Sequence, residues 1–281
     1  AAHMTIVMLA IAMLAIAYRL LDNPLLLEWN NAAPVFYDPV NAHIGMALLT
    51  HHLGYFDILP LYVVLMAMAL VMVPVHRWAP NALLPLSLAL YLATLVLKIG
   101  VPSWPSGGIW FFNPLVWQLT FVLGFTMARE HGPGTFVRRH IDTIRAVAVP
   151  IVLGAAVVVW FNAWWDYTRM PEPRLLFVLS KSYNSPPRVI QFLAWIALFS
   201  AAYPFVARAQ PRFVEVLSQL GRNSLHVFCV GSLLSLLGQI LRFVYKGGIL
   251  IDTAIVVVGI AVLVLTAWLA ESRETRKGTT Q

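Results

Sequence analysis

Eight stretches of this chain, at about 1–18, 55–75, 80–98, 112–128, 145–162, 188–207, 222–243 and 249–270, are apolar on every face and carry no central charge. A helix needs about 20 such residues to cross the hydrocarbon core of a bilayer. A run with no polar side has nothing to show to water. Only 11% of the residues are charged while 60% are hydrophobic, against about 25% charged in an ordinary soluble domain. There is too little polar surface to cover a soluble core of this size, so lipid is the solvent for these side chains. Strands of a membrane barrel would alternate apolar with polar, and these runs do not. The expectation is an all-α, polytopic transmembrane helix bundle of about eight spans, forming a single integral membrane domain over 1–281 with a short cytoplasmic tail at 271–281.

Pro and Gly clusters at 102–108, 132–134, 171–173, 185–187 and 247–248 separate the runs. Loops at 77, 129–145, 208–222 and 273–277 hold eleven Lys and Arg, and the alternating loops hold eight. The positive-inside rule therefore puts the first set, and the C-terminus, in the cytoplasm. It leaves the long 19–54 and 163–187 loops outside. The net charge of +7 is spread over these short loops and orients the chain; it is no nucleic-acid footprint. Cys229 is the single cysteine and can form no internal disulfide. No charged segment or small-residue cleavage site precedes the first run, which reads as a span and not as a signal peptide. His3-Met4 has the look of a cloning remnant; the other reading is that the chain starts partway through a longer protein.

The first chemically loaded segment is His51-His52-Leu53-Gly54-Tyr55-Phe56-Asp57, at the outer mouth of the second span. Asp57 in a first helical turn is explained by attraction to the positive end of the helix. The sharper reading pairs it with His52 as a catalytic imidazole and carboxylate for general acid/base work. The second segment is Gly221-Arg222-Asn223-Ser224-Leu225-His226, read as the inner start of the seventh span. There Arg222 and His226 would share a face beside unsatisfied backbone N–H groups, which suits a phosphate. Arg129, Arg138, Arg139 and Arg145 lie on the same side and serve topology and headgroup contact. Arg222 asks for more, because a cation at a helix start opposes the dipole.

Six tryptophans, Trp29, Trp104, Trp110, Trp160, Trp164 and Trp165, fall at the outer boundary, against Trp78 and Trp268 at the inner one. An aromatic belt accounts for tryptophan at both interfaces, and flat exposed rings would also suit a sugar. Asn113 and Trp117 share a face of the fourth span, with Gln118 beside them. Polar groups in a span are either interhelical glue or the lining of a cavity. The histidines show no metal-ligand spacing, and neither a phosphate-cradling loop nor a serine elbow is present.

Three segments carry a resemblance. They are 54–65 (Gly-Tyr-Phe-Asp-Ile-Leu-Pro-Leu-Tyr-Val-Val-Leu), 112–118 (Phe-Asn-Pro-Leu-Val-Trp-Gln) followed by Phe121-Val122-Leu123-Gly124, and 220–229 (Leu-Gly-Arg-Asn-Ser-Leu-His-Val-Phe-Cys). Together they resemble OpgC-type membrane proteins, which are similar to members of the acyltransferase-3 superfamily and whose type member succinylates osmoregulated periplasmic glucans. The likeness covers essentially the whole chain. Lys181, Ser182 and Arg188 resemble the polar segment before a helix in that family. Gln191 stands where the likeness leads one to expect a histidine, and His226 where it leads one to expect Glu. Proteins of this kind open with a basic stretch and two further spans, the first bearing a histidine used in acyl transfer. Ala2-His3 resembles the start of their third span, so the resemblance implies that residues 1–281 alone insert, fold in part and are inactive.

What the resemblance implies is a multipass succinyltransferase of the bacterial inner membrane. Acyl-CoA, in the first place succinyl-CoA, would be the donor substrate on the cytoplasmic side, with no tightly bound cofactor and no metal. A glucan hydroxyl would be the acceptor outside. The site residues implied are His52 and Asp57 for catalysis and Arg222, His226, Lys181, Arg188, Asn113 and Gln118 for substrate binding, with the bilayer, acyl-CoA and glucan as partners and no nucleic acid. The competing readings are a transporter or flippase for a glycan or lipid, and a catalytically inactive truncated homologue.

Overall fold

The computed structural model describes residues 2–129, 132–162 and 170–278. Its α-helices in chain order are α1 (Ala2–Leu21), α2 (Leu25–Trp29), α3 (Ala33–Tyr37), α4 (Pro39–Ala47), α5 (Ile58–Trp78), α6 (Leu83–Val96), α7 (Pro114–Met127), α8 (Pro133–Arg139), α9 (Ile141–Trp160), α10 (Pro186–Ala209), α11 (Pro211–Arg222), α12 (Ser224–Val244) and α13 (Ile249–Gly278). No strand occurs among the described residues, so the all-α reading holds. Proline opens α4, α7, α8, α10 and α11. Its fixed φ suits a first helical position, and the N–H it lacks would have had no partner there. Arg19, His76, Arg77, Arg208, Arg222 and Arg242 sit in last turns, where a cation meets the negative end of the dipole.

All eight expected apolar runs are mainly helical, in keeping with a polytopic all-α bundle, and they differ in length. Six helices, α1, α5, α9, α10, α12 and α13, are long and apolar enough to cross a membrane. In contrast, α6 and α7 have 14 residues each, about 21 Å of helix against a core of about 30 Å. The remaining residues of those two runs lie in connections: Phe112 precedes the Asn113 cap, and Leu97 and Lys98, the latter left-handed (φ 54°), follow α6. The expected tail at 271–281 is helical through Gly278, and 279–281 fall outside the described residues.

The chain divides into two compact units. The first comprises 1–56, 104–106 and 206–281; within it α1 packs on α12, α12 on α13, and α11 on α13. Close approach of α12 to α13 needs Gly238, where a Cβ would come within 2.9 Å of the Ile255 side chain. None of the spanning window of α13 is buried, and lipid is the solvent that accepts such a helix because its backbone bonds are all internal. The 19–54 stretch, expected as a loop, is built of α2, α3 and α4.

The second unit comprises 57–103 and 107–205. Its centre is the α6–α7 pair, where Tyr91, Leu95, Val116 and Leu119 are buried together. Elsewhere in the unit α9 and α10 meet through the side chains of Ala148, Val152, Ala194 and Ala197. Arg145 binds across that contact, donating to Ser200 Oγ at 3.1 Å. Arg138 donates to the Arg129 carbonyl at 2.8 Å and to the carbonyl of Met127, the last residue of α7, at 3.5 Å, so this arginine covers the helix end.

Candidate functional site

In the first unit the chain beyond α4 folds into a polar corner. Leu49 takes a left-handed φ of 62°, and the N–H groups of Thr50 and His51 both donate to the Gly45 carbonyl (2.7 and 3.1 Å). Gly45 is demanded here: a Cβ would lie 2.5 Å from the Trp104 carbonyl oxygen and 2.9 Å from His51 Cβ. Asn31 Nδ2 donates to the His52 carbonyl at 2.9 Å, and Gly54 N–H to the Asn30 carbonyl at 2.7 Å. The backbone carrying both histidines is thereby fixed on each side.

The rings themselves are buried, His51 at 0% and His52 at 8% exposure, together with His3 of α1 at 8%. His52 Nε2 lies 2.8 Å from the Leu49 carbonyl. A carbonyl only accepts, so Nε2 carries the proton and Nδ1 the lone pair of the neutral ring. Burial pushes the His52 pKa down to about 4; the bond to Leu49 works against that shift, and charge on His3 or His51 adds to it. Burial also lowers His51, whose Nδ1 is 3.4 Å from Ser106 Oγ and whose Nε2 has no partner. Two neutral imidazoles on a fixed loop each carry a basic lone pair, while burial makes them weaker bases than a solvated histidine. No three His, Cys, Asp or Glu side chains are arranged to hold a metal among the described residues.

Asp57 belongs to the second unit, at the N-cap of α5, with helical backbone angles and no side-chain bond to the helix end. Helix capping therefore does not explain it. At 5% exposure its carboxyl is pushed up to about 6 by burial, with its own backbone N–H opposing. Such a group exchanges a proton close to neutrality.

Asn113 and Gln118, expected to contact substrate, are occupied by structural duties. Asn113 Oδ1 accepts from Leu115 N–H at the head of α7, and Nδ2 donates to the Ile99 carbonyl at 2.7 Å. Gln118 exchanges two bonds with Ser87: Ser87 Oγ donates to Oε1 at 2.7 Å, and Nε2 donates to the Ser87 carbonyl at 2.9 Å. Buried amides in lipid-facing proteins must find partners, and these two, the cap of α7 and a residue within it, find theirs in α6 and the connection that follows it.

Arg222 and His226 do not share a helical face. Arg222 is the last residue of α11 and His226 stands in the first turn of α12, with Asn223 at the break. The dipole objection vanishes, since a cation belongs at a helix C-terminus. The Arg222 guanidinium donates to Glu215 at 3.0 Å and to Glu271 at 2.9 and 3.1 Å, while Gln219 donates to Glu271 at 2.6 Å. A fork held by two carboxylates is no open grip for a phosphate, and His226 is exposed.

Lys181 is exposed on the connection before α10. Arg188, in contrast, lines a cavity of about 290 Å³ with Trp117, Thr120, Asn184, Gln191, Phe192 and Trp195. The burial of His3 near the head of α1 and this cavity are what sequence reasoning missed; the available signal for the cavity was the three-residue spacing of Arg188 and Gln191, one helical face. Trp110, expected as an outer aromatic face, is buried at 5%. Trp164, Trp165 and Arg169 lie outside the described residues.

A family model described as OpgC protein matches residues 1–275. No curated protein and no solved structure matches the chain. With nearly every residue covered by that one family model, and an all-helical, membrane-type architecture beneath it, the chain belongs to the OpgC protein family.

Proposed function

We propose that the chain acts as a multipass membrane O-acyltransferase, moving an acyl group, succinyl foremost, from acyl-CoA to a hydroxyl of a periplasmic glucan in the bacterial inner membrane. This is the activity that likeness to the acyltransferase-3 superfamily implies for an OpgC protein. The observation that carries the reading is the His51–His52 corner, two buried imidazoles held neutral on a fixed loop.

In the proposed step the acyl thioester arm of the cytoplasmic donor reaches across the membrane to this outer corner, where the acceptor oxygen attacks its carbonyl while an imidazole of the corner takes the hydroxyl proton. The C–S bond breaks, the proton passes to the departing thiolate, and an ester and free CoA thiol result. Asp57 is proposed as a second proton-exchanging group. Arg222 is left out of donor binding, because its fork is engaged by Glu215 and Glu271. The C-terminus is proposed to be cytoplasmic, with a reporter active only in the periplasm silent after Gln281.

The test is expression of His51→Gln, His52→Gln and Asp57→Asn variants, each from the complete reading frame, in a strain without glucan acylation of its own. The charge of extracted glucans is the readout, with membrane levels of each variant as control. Loss of general-base help costs about 10²–10⁴-fold, so glucans from the histidine variants should stay neutral. Wild-type substitution in both would leave the corner a structural element and sink the reading.

A further inference from the structure

Arg188 and Gln191 line two cavities of the second unit. One is the polar cavity of about 290 Å³ toward α7. The other, of about 740 Å³, runs along α9 and the 170–179 connection and is otherwise lined by apolar side chains such as Ile151, Val158, Met170 and Phe177. The larger space is within the range of small-molecule sites. Among the described residues, the lining of neither cavity carries an Asp or Glu.

The polar cavity is rich in donors. Arg188 Nε and Trp117 Nε1 are both buried without a hydrogen-bond partner, which costs free energy until something accepts from them. Thr120 Oγ1 accepts from Asn184 Nδ2 at 2.9 Å, leaving its own hydroxyl hydrogen to donate. Glu172, on the connection before α10, is engaged by Lys98 and Arg174. A guanidinium with aromatic neighbours and no carboxylate among the lining residues calls for an acceptor-only anion, and its planar fork matches a carboxylate or phosphodiester.

We propose that the two cavities are one site for a membrane-borne amphiphile, with an anionic head on Arg188 and the Trp117 indole, and an aliphatic chain along the apolar groove. The inference goes beyond the acyl-transfer reading, since the groove runs along lipid-facing helices and is far larger than a four-carbon acyl group requires. The head chemistry has two sources, a fatty-acid carboxylate and a phospholipid phosphodiester.

The full-length protein in nanodiscs of zwitterionic phosphatidylcholine tests this through quenching of tryptophan fluorescence by dibromostearate. The ionised acid should quench saturably. Its methyl ester should not, because it keeps the chain and loses the charge. Arg188→Gln should raise the half-saturating concentration at least about tenfold, in line with losing a hydrogen bond to a charged group. Arg188→Lys should fall between, and Trp117→Phe, which keeps an aromatic ring and removes the N–H, should weaken binding with the fold intact. Brominated phosphatidylglycerol that competes with the acid would assign the head to phosphodiesters, and failure to compete would assign it to carboxylates. Equal quenching by acid and ester, or by wild type and both Arg188 variants, would make the groove ordinary lipid-facing surface and overturn the proposal.

Discussion

Two polar clusters of the first unit, the histidine corner after α4 and the Arg222 end of α11, both sit where helices stop, yet they handle charge in opposite ways. At the corner the rings are buried and kept uncharged by the cost of desolvation. At Arg222, half-exposed at 51%, the charge is kept and cancelled by carboxylates at 70% and 35% exposure. The sequence motifs that announce the two places look alike, short runs of polar residues at the edge of an apolar stretch. Burial and partners decide which one is poised for chemistry. A base needs a lone pair held out of water, whereas a neutralised fork has already made the bonds it would offer to a ligand.

Acid should break this comparison most visibly. The folded pKa of His52, about 4, is below the 6.5 of an unfolded histidine, so its contribution to stability is full above 6.5 and is lost as pH falls toward 4. A shift of that size corresponds to about 3 kcal/mol. Asp57 opposes it, because a carboxyl raised from 3.8 to about 6 favours the folded state at low pH and loses that contribution as pH rises through the same window. The measurement is therefore made in an Asp57→Asn background, by melting in detergent across this window. Stability should fall with acid there, and His52→Gln should flatten the slope. An unchanged slope would mean that the ring is already solvated.

The second unit offers a way to turn one kind of site into the other. Arg188 is a cation like Arg222 but meets no carboxylate among the described residues that line its cavity. Gln191→Glu, one turn along the same face, supplies one. It should cancel the charge as Glu215 and Glu271 do for Arg222, and weaken binding of the dibromostearate probe about tenfold while the melting temperature stays near wild type. Undiminished binding would show that the head group is not read by Arg188.

The apolar runs and the prolines at helix starts were legible because each is a local fact: a side chain prefers lipid, or a ring fixes φ, whatever lies elsewhere. Partners were not local. The fork of Arg222 is met by Glu271, 49 residues away, and Gln118 by Ser87 at a separation of 31. Nothing in either segment alone distinguishes an engaged polar group from a waiting one. The same holds at residue 223, where continuous helical pattern hides a break between α11 and α12 that reverses the electrostatic meaning of Arg222. For the histidines the motif was visible and the burial was not, since it depends on Gly45 letting the Trp104 carbonyl come close.

The smallest effect expected is also the one that tests whether the Arg222 cluster is more than a surface ion pair. Exposed pairs contribute at most about 1 kcal/mol, and salt screens them. Arg222→Ala should therefore lower the melting temperature only slightly at low ionic strength and not measurably at high salt, although it removes bonds to two glutamates. Glu271→Gln should behave the same way, because it leaves Gln219 a neutral acceptor and Arg222 its contact with Glu215. A large loss in both variants that survives high salt would mean that the pair is shielded from solvent, by headgroups or by a protein neighbour. In that case the contrast with the histidine corner would be one of partners alone and not of burial.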